Sequence, residues 1–274
     1  MSRFKAALDV VLERLEVCRT ADNPVWRASR TSLQRLLATP VPAPLAAPAP
    51  PPKPSGGPAV PGPVLSKAAR LAQLRATPER LPCGLCPYGQ GEHAHVVFGV
   101  GNIDAELMFV GEAPGAEEDA QGEPFVGRAG QLLNKMIATM GYQRSDVYIA
   151  NILKCRPDTP DQTSGNRAPT AAEMESCRPC LYEQIEIVAP RAIVALGATA
   201  MRGLLDVAEP IGKLRGQWHD FRGVPVMATY HPSYLLRNQA PSERRKVWED
   251  LLEVKSRLGH NITERDRSYF LAKS

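Results

Sequence analysis

Four short apolar runs, at residues 106–110, 147–152, 192–196 and 224–229, are separated by stretches with helical spacing, among them 129–140, 171–188 and 199–205. Strands that are apolar throughout and alternate with helices belong to sheets buried on both faces. The pattern therefore predicts an α/β fold, a three-layer α/β/α sandwich around a central, mostly parallel four-stranded sheet. A chain of 274 residues can hold one such domain with appendages.

Three of the runs end in residues that carry chemistry. The first is followed by Gly111-Glu112-Ala113-Pro114-Gly115, then by Glu117-Glu118-Asp119, and the stretch closes on Gly122-Glu123-Pro124-Phe125-Val126-Gly127 before a helical pattern. Such a turn gathers backbone N–H groups, carboxylates and one aromatic ring at the carboxyl edge of a sheet, where open α/β folds bind ligands. The second run ends at Asn151 and the fourth in Tyr230-His231-Pro232-Ser233. Taken singly, Asn151 reads as a cap and His231 as a loop histidine; their convergence on one edge predicts a site.

The appendages read differently. Many of the 26 prolines crowd into residues 39–64, a Pro/Ala-rich segment that reads as an extended linker or as a docking site for a proline-binding partner. Within residues 1–38, Phe4, Leu8, Val11, Leu12 and Leu15 fall at helical spacing, and Leu33, Leu36 and Leu37 suggest a second helix. This N-terminal helical extension packs on the domain, pairs with another copy, or recruits a repair or replication protein. The domain is expected over 65–260, with a tail over 261–274. No stretch is apolar for long enough to span a membrane, which predicts a cytoplasmic chain, expected to be monomeric. A net charge of +4 is too small to argue for nucleic acid by itself.

Six cysteines occur, Cys18, Cys83, Cys86, Cys155, Cys177 and Cys180. In a cytoplasmic chain they read as metal ligands or plain thiols. Cys83-Gly-Leu-Cys86 and Cys177-Arg-Pro-Cys180 are both C-x-x-C pairs, which nominates those four for zinc; iron–sulfur clusters also use four thiolates, and spacing does not separate the two.

The assembled text resembles the family 4 uracil-DNA glycosylases of bacteria and archaea. The matching pieces are Cys83-x-x-Cys86, Val97-Phe98-Gly99-x-Gly101-Asn102, Phe109-Val110-Gly111-Glu112-Ala113-Pro114-Gly115, Pro124-Phe125-Val126-Gly127-Arg128-Ala129-Gly130-Gln131, Tyr148-Ile149-Ala150-Asn151-Ile152-Leu153-Lys154-Cys155-Arg156-Pro157 and His231-Pro232-Ser233-Tyr234-Leu235-Leu236-Arg237. They span roughly residues 81 to 258. The resemblance implies a 4Fe-4S cluster of structural role, with Cys83, Cys86, Cys155 and Cys177 as ligands; a long loop over 158–167 leaves Cys180 as an alternative fourth ligand. A relative of the family traps DNA covalently through a histidine on a loop in this region. No histidine lies between Asn151 and Cys177, so turnover is expected.

The implied reaction is hydrolysis of the N1–C1′ bond of a flipped deoxyuridine, initiating base excision repair without a lyase step. By resemblance, Phe125 stacks on the base and Asn151 reads its edge. His231 donates to uracil O2 as a neutral ring, supported by backbone N–H groups of Gly111 to Ala113. Glu112 either orients a water or stabilises the cationic sugar, and Glu118 stands beside uracil C5, where it would crowd a thymine methyl. Gly127 at a helix start and Ser233 are expected at phosphates, Tyr234 and Leu235 as wedges, with a core role the alternative for Leu235 and Leu236, and Arg237 at the DNA backbone; the run Arg244-Arg245-Lys246 reads as a further backbone contact or as a solvated basic helix face. Two rival readings are a same-fold enzyme with altered lesion preference and a non-catalytic iron–sulfur module that binds nucleic acid.

Overall fold

The computed structural model describes residues 65–76, 96–157 and 166–271. The N-terminal helical segment, the linker, Cys18, Cys83, Cys86 and residues 158–165 lie outside them. In chain order the elements are α1 (Lys67–Ala76), β1 (Val100–Gly101), β2 (Leu107–Gly111), α2 (Ala116–Gln121), α3 (Arg128–Met140), β3 (Tyr148–Asn151), α4 (Ala171–Val188), β4 (Ala192–Leu196), α5 (Ala198–Leu205), α6 (Ile211–Leu214), β5 (Trp218–Phe221), β6 (Val224–Thr229), α7 (Pro232–Arg237), α8 (Pro241–Arg257) and α9 (Glu264–Ser268).

The sheet runs in the order β1-β3-β2-β4-β6-β5. Its four inner strands are parallel and coincide with the four apolar runs; two antiparallel edge strands, β1 on β3 and β5 on β6, bring the total to six. Side chains alternate between two apolar clusters, as a period of two requires. Met108, Val110, Ile193 and Ala195 face a layer that holds Leu71 and Leu74 of α1, Leu181 of α4 and Met201 of α5. Leu107, Phe109, Val194 and Met227 face Leu133 and Ile137 of α3 and Trp248 and Leu251 of α8. The result is the expected three-layer arrangement.

Residues 261–271, read from the sequence as a tail, return against α8. Trp248 Nε1 donates to the Asp266 carbonyl at 2.6 Å, Lys255 pairs with Asp266 at 3.0 Å, and Arg245 donates to the carbonyls of Arg267 and Tyr269. Arg245 and Lys246, the latter paired with Glu243 at 2.7 Å, thus have partners within the protein. No helix among the described residues is long and apolar enough to cross a membrane.

Candidate active site

The parallel register sets Gly111 opposite Asn151 and Leu196 opposite Thr229, so the loops that follow β2, β3, β4 and β6 leave one edge of the sheet together. They enclose a cavity of about 600 Å3. Of the residues expected at the site, Glu112, Ala113, Glu118, Phe125, Asn151, His231, Ser233, Tyr234 and Arg237 line it. Asn166, Arg167, Gly197 and Tyr230 are among the other residues of the wall.

Gly111 sits behind this wall. A Cβ on it would meet Asn151 Oδ1 at 2.3 Å and Phe125 Cζ at 2.5 Å, so the absence of a side chain is what lets amide and ring close over the strand end. Asn151 is 2 % exposed, and its Oδ1 is a buried acceptor with no hydrogen-bond partner among the described residues. Buried polar atoms are nearly always paired, so an orphan acceptor on a residue that lines the cavity marks a place for a donor.

Phe125 takes a left-handed backbone, φ 54°, a conformation unusual for a residue with a side chain. Two sets of bonds and one close approach hold it there. Glu118 accepts from the N–H groups of Val126 and Gly127 through Oε1 and from Gly115 through Oε2, all at 3.0 Å. Arg144, which sequence reasoning missed, donates to the carbonyls of Pro124 at 2.6 Å and Phe125 at 3.4 Å. Gly130 lets α3 approach, since a Cβ there would overlap the Phe125 carbonyl. Arg144 carries no motif signal because its bonds to the Phe125 loop go to backbone carbonyls; its one other hydrogen-bond partner among the described residues is Asn134 Oδ1, at 2.9 Å.

This arrangement corrects the phosphate reading of Gly127. Its N–H already donates to Glu118, and the Glu117 carboxylate lies close enough that a Cβ on Gly127 would meet it at 3.1 Å. Two carboxylates repel an anion from that helix start. Leu235 is corrected as well: it is 5 % exposed and belongs to the apolar cluster between the sheet and α8, so it is core rather than wedge. The Tyr234 ring stacks on Tyr230 at 4.5 Å and its hydroxyl donates to Glu243 at 3.0 Å, which holds it at the cavity wall.

His231 caps α7. Its Nδ1 accepts from the Ser233 N–H at 3.2 Å, with Ser233 Oγ 2.8 Å away, and its ring lies 5.6 Å from that of Phe125. Desolvation first, then the Arg237 charge, lowers its pKa to about 4, against the opposing pull of Glu118. The ring is therefore neutral near pH 7, and because Nδ1 accepts, the proton belongs on Nε2. Gly197 gives this histidine room: its φ of 98° favours glycine, and a Cβ there would stand 3.3 Å from the His231 Cβ. The Glu112 carboxylate has no hydrogen-bond partner among the described residues.

Behind the site, Cys155 follows β3, while Cys177 and Cys180 stand three residues apart on α4; all three are buried. No group of three metal-binding side chains gathers among the described residues, and Cys83 and Cys86 lie outside them.

A family model, the uracil DNA glycosylase superfamily, matches residues 98–252. The chain belongs to this superfamily. It is 47 % identical over 176 residues to a type-4 uracil-DNA glycosylase of Thermotoga maritima, covering 64 % of this chain and 88 % of that protein. A type-4 uracil-DNA glycosylase of Archaeoglobus fulgidus is 39 % identical over 184 residues, 62 % of this chain and 89 % of the relative. A type-5 uracil-DNA glycosylase of Pyrobaculum aerophilum is 36 % identical over 171 residues, 56 % and 71 % of the two chains. Within the superfamily, the chain is a family 4 member.

Proposed function

We propose that this uracil-DNA glycosylase acts in DNA repair by hydrolysing the N-glycosidic bond of a deoxyuridine flipped into the cavity between Asn151, Phe125 and His231. The observation that carries the assignment of roles is the orphaned Asn151 Oδ1. Uracil offers N3–H to such an acceptor and O4 to the amide N–H, whereas cytosine has an acceptor at N3 and a donor at C4. Phe125 supplies the stacking face.

As the N1–C1′ bond breaks, negative charge collects on the base and positive charge on the sugar. A neutral His231 donates from Nε2 to O2, which stabilises the leaving anion without a prior protonation step. Glu112 serves the sugar side, holding the attacking water towards C1′ or countering the cationic carbon with its charge. The water oxygen bonds to C1′, one proton is released, and uracil departs once protonated. Among the described residues no lysine lines the cavity, which supports hydrolysis over Schiff-base chemistry. Ser233 acts through His231, fixing its tautomer, and Arg237 is the exposed cation at the rim that serves the DNA backbone.

The family implies a 4Fe-4S cluster, and the described residues fit it. Cys155 and Cys177 are buried beside Lys154, a fully buried ammonium with no carboxylate partner among the described residues, and an anionic cluster would supply that missing charge. Cys83, Cys86, Cys155 and Cys177 would hold it, with Cys180 on the same buried face of α4. Its contribution when bound is a structural cross-link between the segment before β1 and the domain.

The test is release of uracil from a labelled oligonucleotide with one deoxyuridine, followed by hot alkali and a denaturing gel. Cleavage that depends on alkali, and is lost in Asn151→Ala and His231→Ala, supports the assignment. Full activity in both variants overturns it.

A further inference from the structure

Lys154 is 0 % exposed, and its ammonium has two acceptors: the Asn151 carbonyl at 2.9 Å and Gln184 Oε1 at 2.6 Å. Gln184, also 0 % exposed, donates from Nε2 to the Phe98 carbonyl at 2.8 Å and to the Tyr148 hydroxyl at 3.3 Å. The Lys154 carbonyl accepts from Val97 N–H at 2.7 Å. These bonds tie three pieces of chain together: the end of β3, helix α4, and the segment before β1. Gln184 follows Cys180 by four residues and Cys177 by seven, so it shares their face of α4.

Two neutral acceptors only partly offset the desolvation of a fully buried ammonium, and a nearby anion would offset the rest. On one side of Lys154 is the backbone of Asn151, whose amide faces the cavity. On the other is Cys155, its chain neighbour, with Cys177 and Cys180 on the helix that presents Gln184. A lysine reaching back three residues to a strand-end carbonyl holds the bend between Asn151 and Cys155 in one shape.

We propose that Lys154 is a positioning residue for base recognition: it fixes the backbone of Asn151 and takes its counter-charge from the cluster bound by the neighbouring cysteines. This rests on the cluster reading above. It makes Lys154 the physical connection between the cluster and the edge of the base, so that loss of one loosens the other.

The experiment uses the full chain, purified without oxygen, as wild type, Lys154→Met, Gln184→Met, Asn151→Ala and the Lys154→Met/Asn151→Ala double variant. Iron content, inhibition by free uracil, excision kcat and the midpoint potential of the cluster are measured on each. In iron-loaded Lys154→Met, affinity for free uracil and kcat are each expected to fall by about tenfold or more, the scale of one misaligned hydrogen bond. Asn151→Ala should mask this loss, and the potential should move to more negative values, because the reduced cluster loses a compensating cation. Wild-type uracil affinity in Lys154→Met, a loss that adds in full to that of Asn151→Ala, or an unmoved potential overturns the proposal. If Lys154→Met does not retain iron or does not fold, Gln184→Met decides: weakened uracil inhibition supports the proposal and unchanged inhibition overturns it. A wild-type chain that never holds iron defeats the cluster reading, and the comparison of uracil affinities still reports on the link between Lys154 and Asn151.

Discussion

Gly111 lies so close against Asn151 that a Cβ there would come within 2.3 Å of the amide oxygen. The two residues end adjacent parallel strands in direct register, and the space between them is closed by the Phe125 ring. One hydrogen atom in place of a methyl is what permits the contact.

Gly111→Ala is accordingly expected to displace the Asn151 amide, the Phe125 ring, or both. Overpacking at a buried position costs about 1–3 kcal/mol, so the variant should fold with reduced stability. Excision of uracil should fall far more than stability does. Denaturant unfolding alongside single-turnover excision checks the split; a fully active variant contradicts the geometry.

Asn151→Ala should separate function from stability in the opposite sense. The substitution removes a buried acceptor left without a partner, and an unsatisfied group of this kind costs about 1–3 kcal/mol. The variant is expected to unfold within about 1 kcal/mol of wild type or above it, while uracil excision drops by about two orders of magnitude. A large loss of stability would show that the amide is paired within the protein.

Glu118→Gln tests the loop that carries Phe125. The carboxylate accepts three backbone N–H groups, and an amide cannot accept all three. Loss of one charge-assisted bond should cost about 1.5–3 kcal/mol and raise KM for uracil-containing DNA, because the stacking ring is no longer held. Thermal unfolding and steady-state kinetics read the two effects. Unchanged KM would mean that Arg144 alone fixes Phe125.

His231 sets a pH dependence of known sign. Its folded pKa is depressed from 6.5 to about 4. Above pH 6.5 both folded and unfolded rings are neutral; between 6.5 and about 4 only the unfolded chain binds the proton, so stability falls as the solution is acidified. From pH 7 to pH 5 the loss from this group should be on the order of 2 kcal/mol, and His231→Gln should flatten that part of the profile. Excision by the wild type should not lose its neutral histidine until the pH approaches 4. Denaturation midpoints at several pH values, with and without the substitution, decide it.

Much of this was legible beforehand. The inner strands announce themselves because each is apolar on both faces and stops at a turn, and Glu112, Asn151 and His231 follow from the motifs at their ends. The edge strands carried no such mark: Val100–Gly101 is two residues long, and Trp218–Phe221 includes a histidine and an aspartate. Arg144 and Gln184 leave no local pattern because their partners stand far away in sequence, and Lys154, although it stands in a matching motif, shows its role only through its bond to Gln184, 30 residues on. Gly127 and Leu235 misled for a related reason. Nothing in the sequence near them shows that Glu118 already occupies the helix start or that the leucine is buried in the apolar layer with α3 and α8.

The strand order has one further consequence. Asn151 ends β3 and His231 follows β6, with β2 and β4 between them. Neighbouring strands are about 4.8 Å apart, so the two sides of the cavity rise from a base about 14 Å wide that is set by main-chain hydrogen bonding. The sheet thus acts as a ruler. Loop substitutions can change what the cavity prefers, but the span across which a base is gripped belongs to the backbone, and changing it would take the loss or gain of a strand.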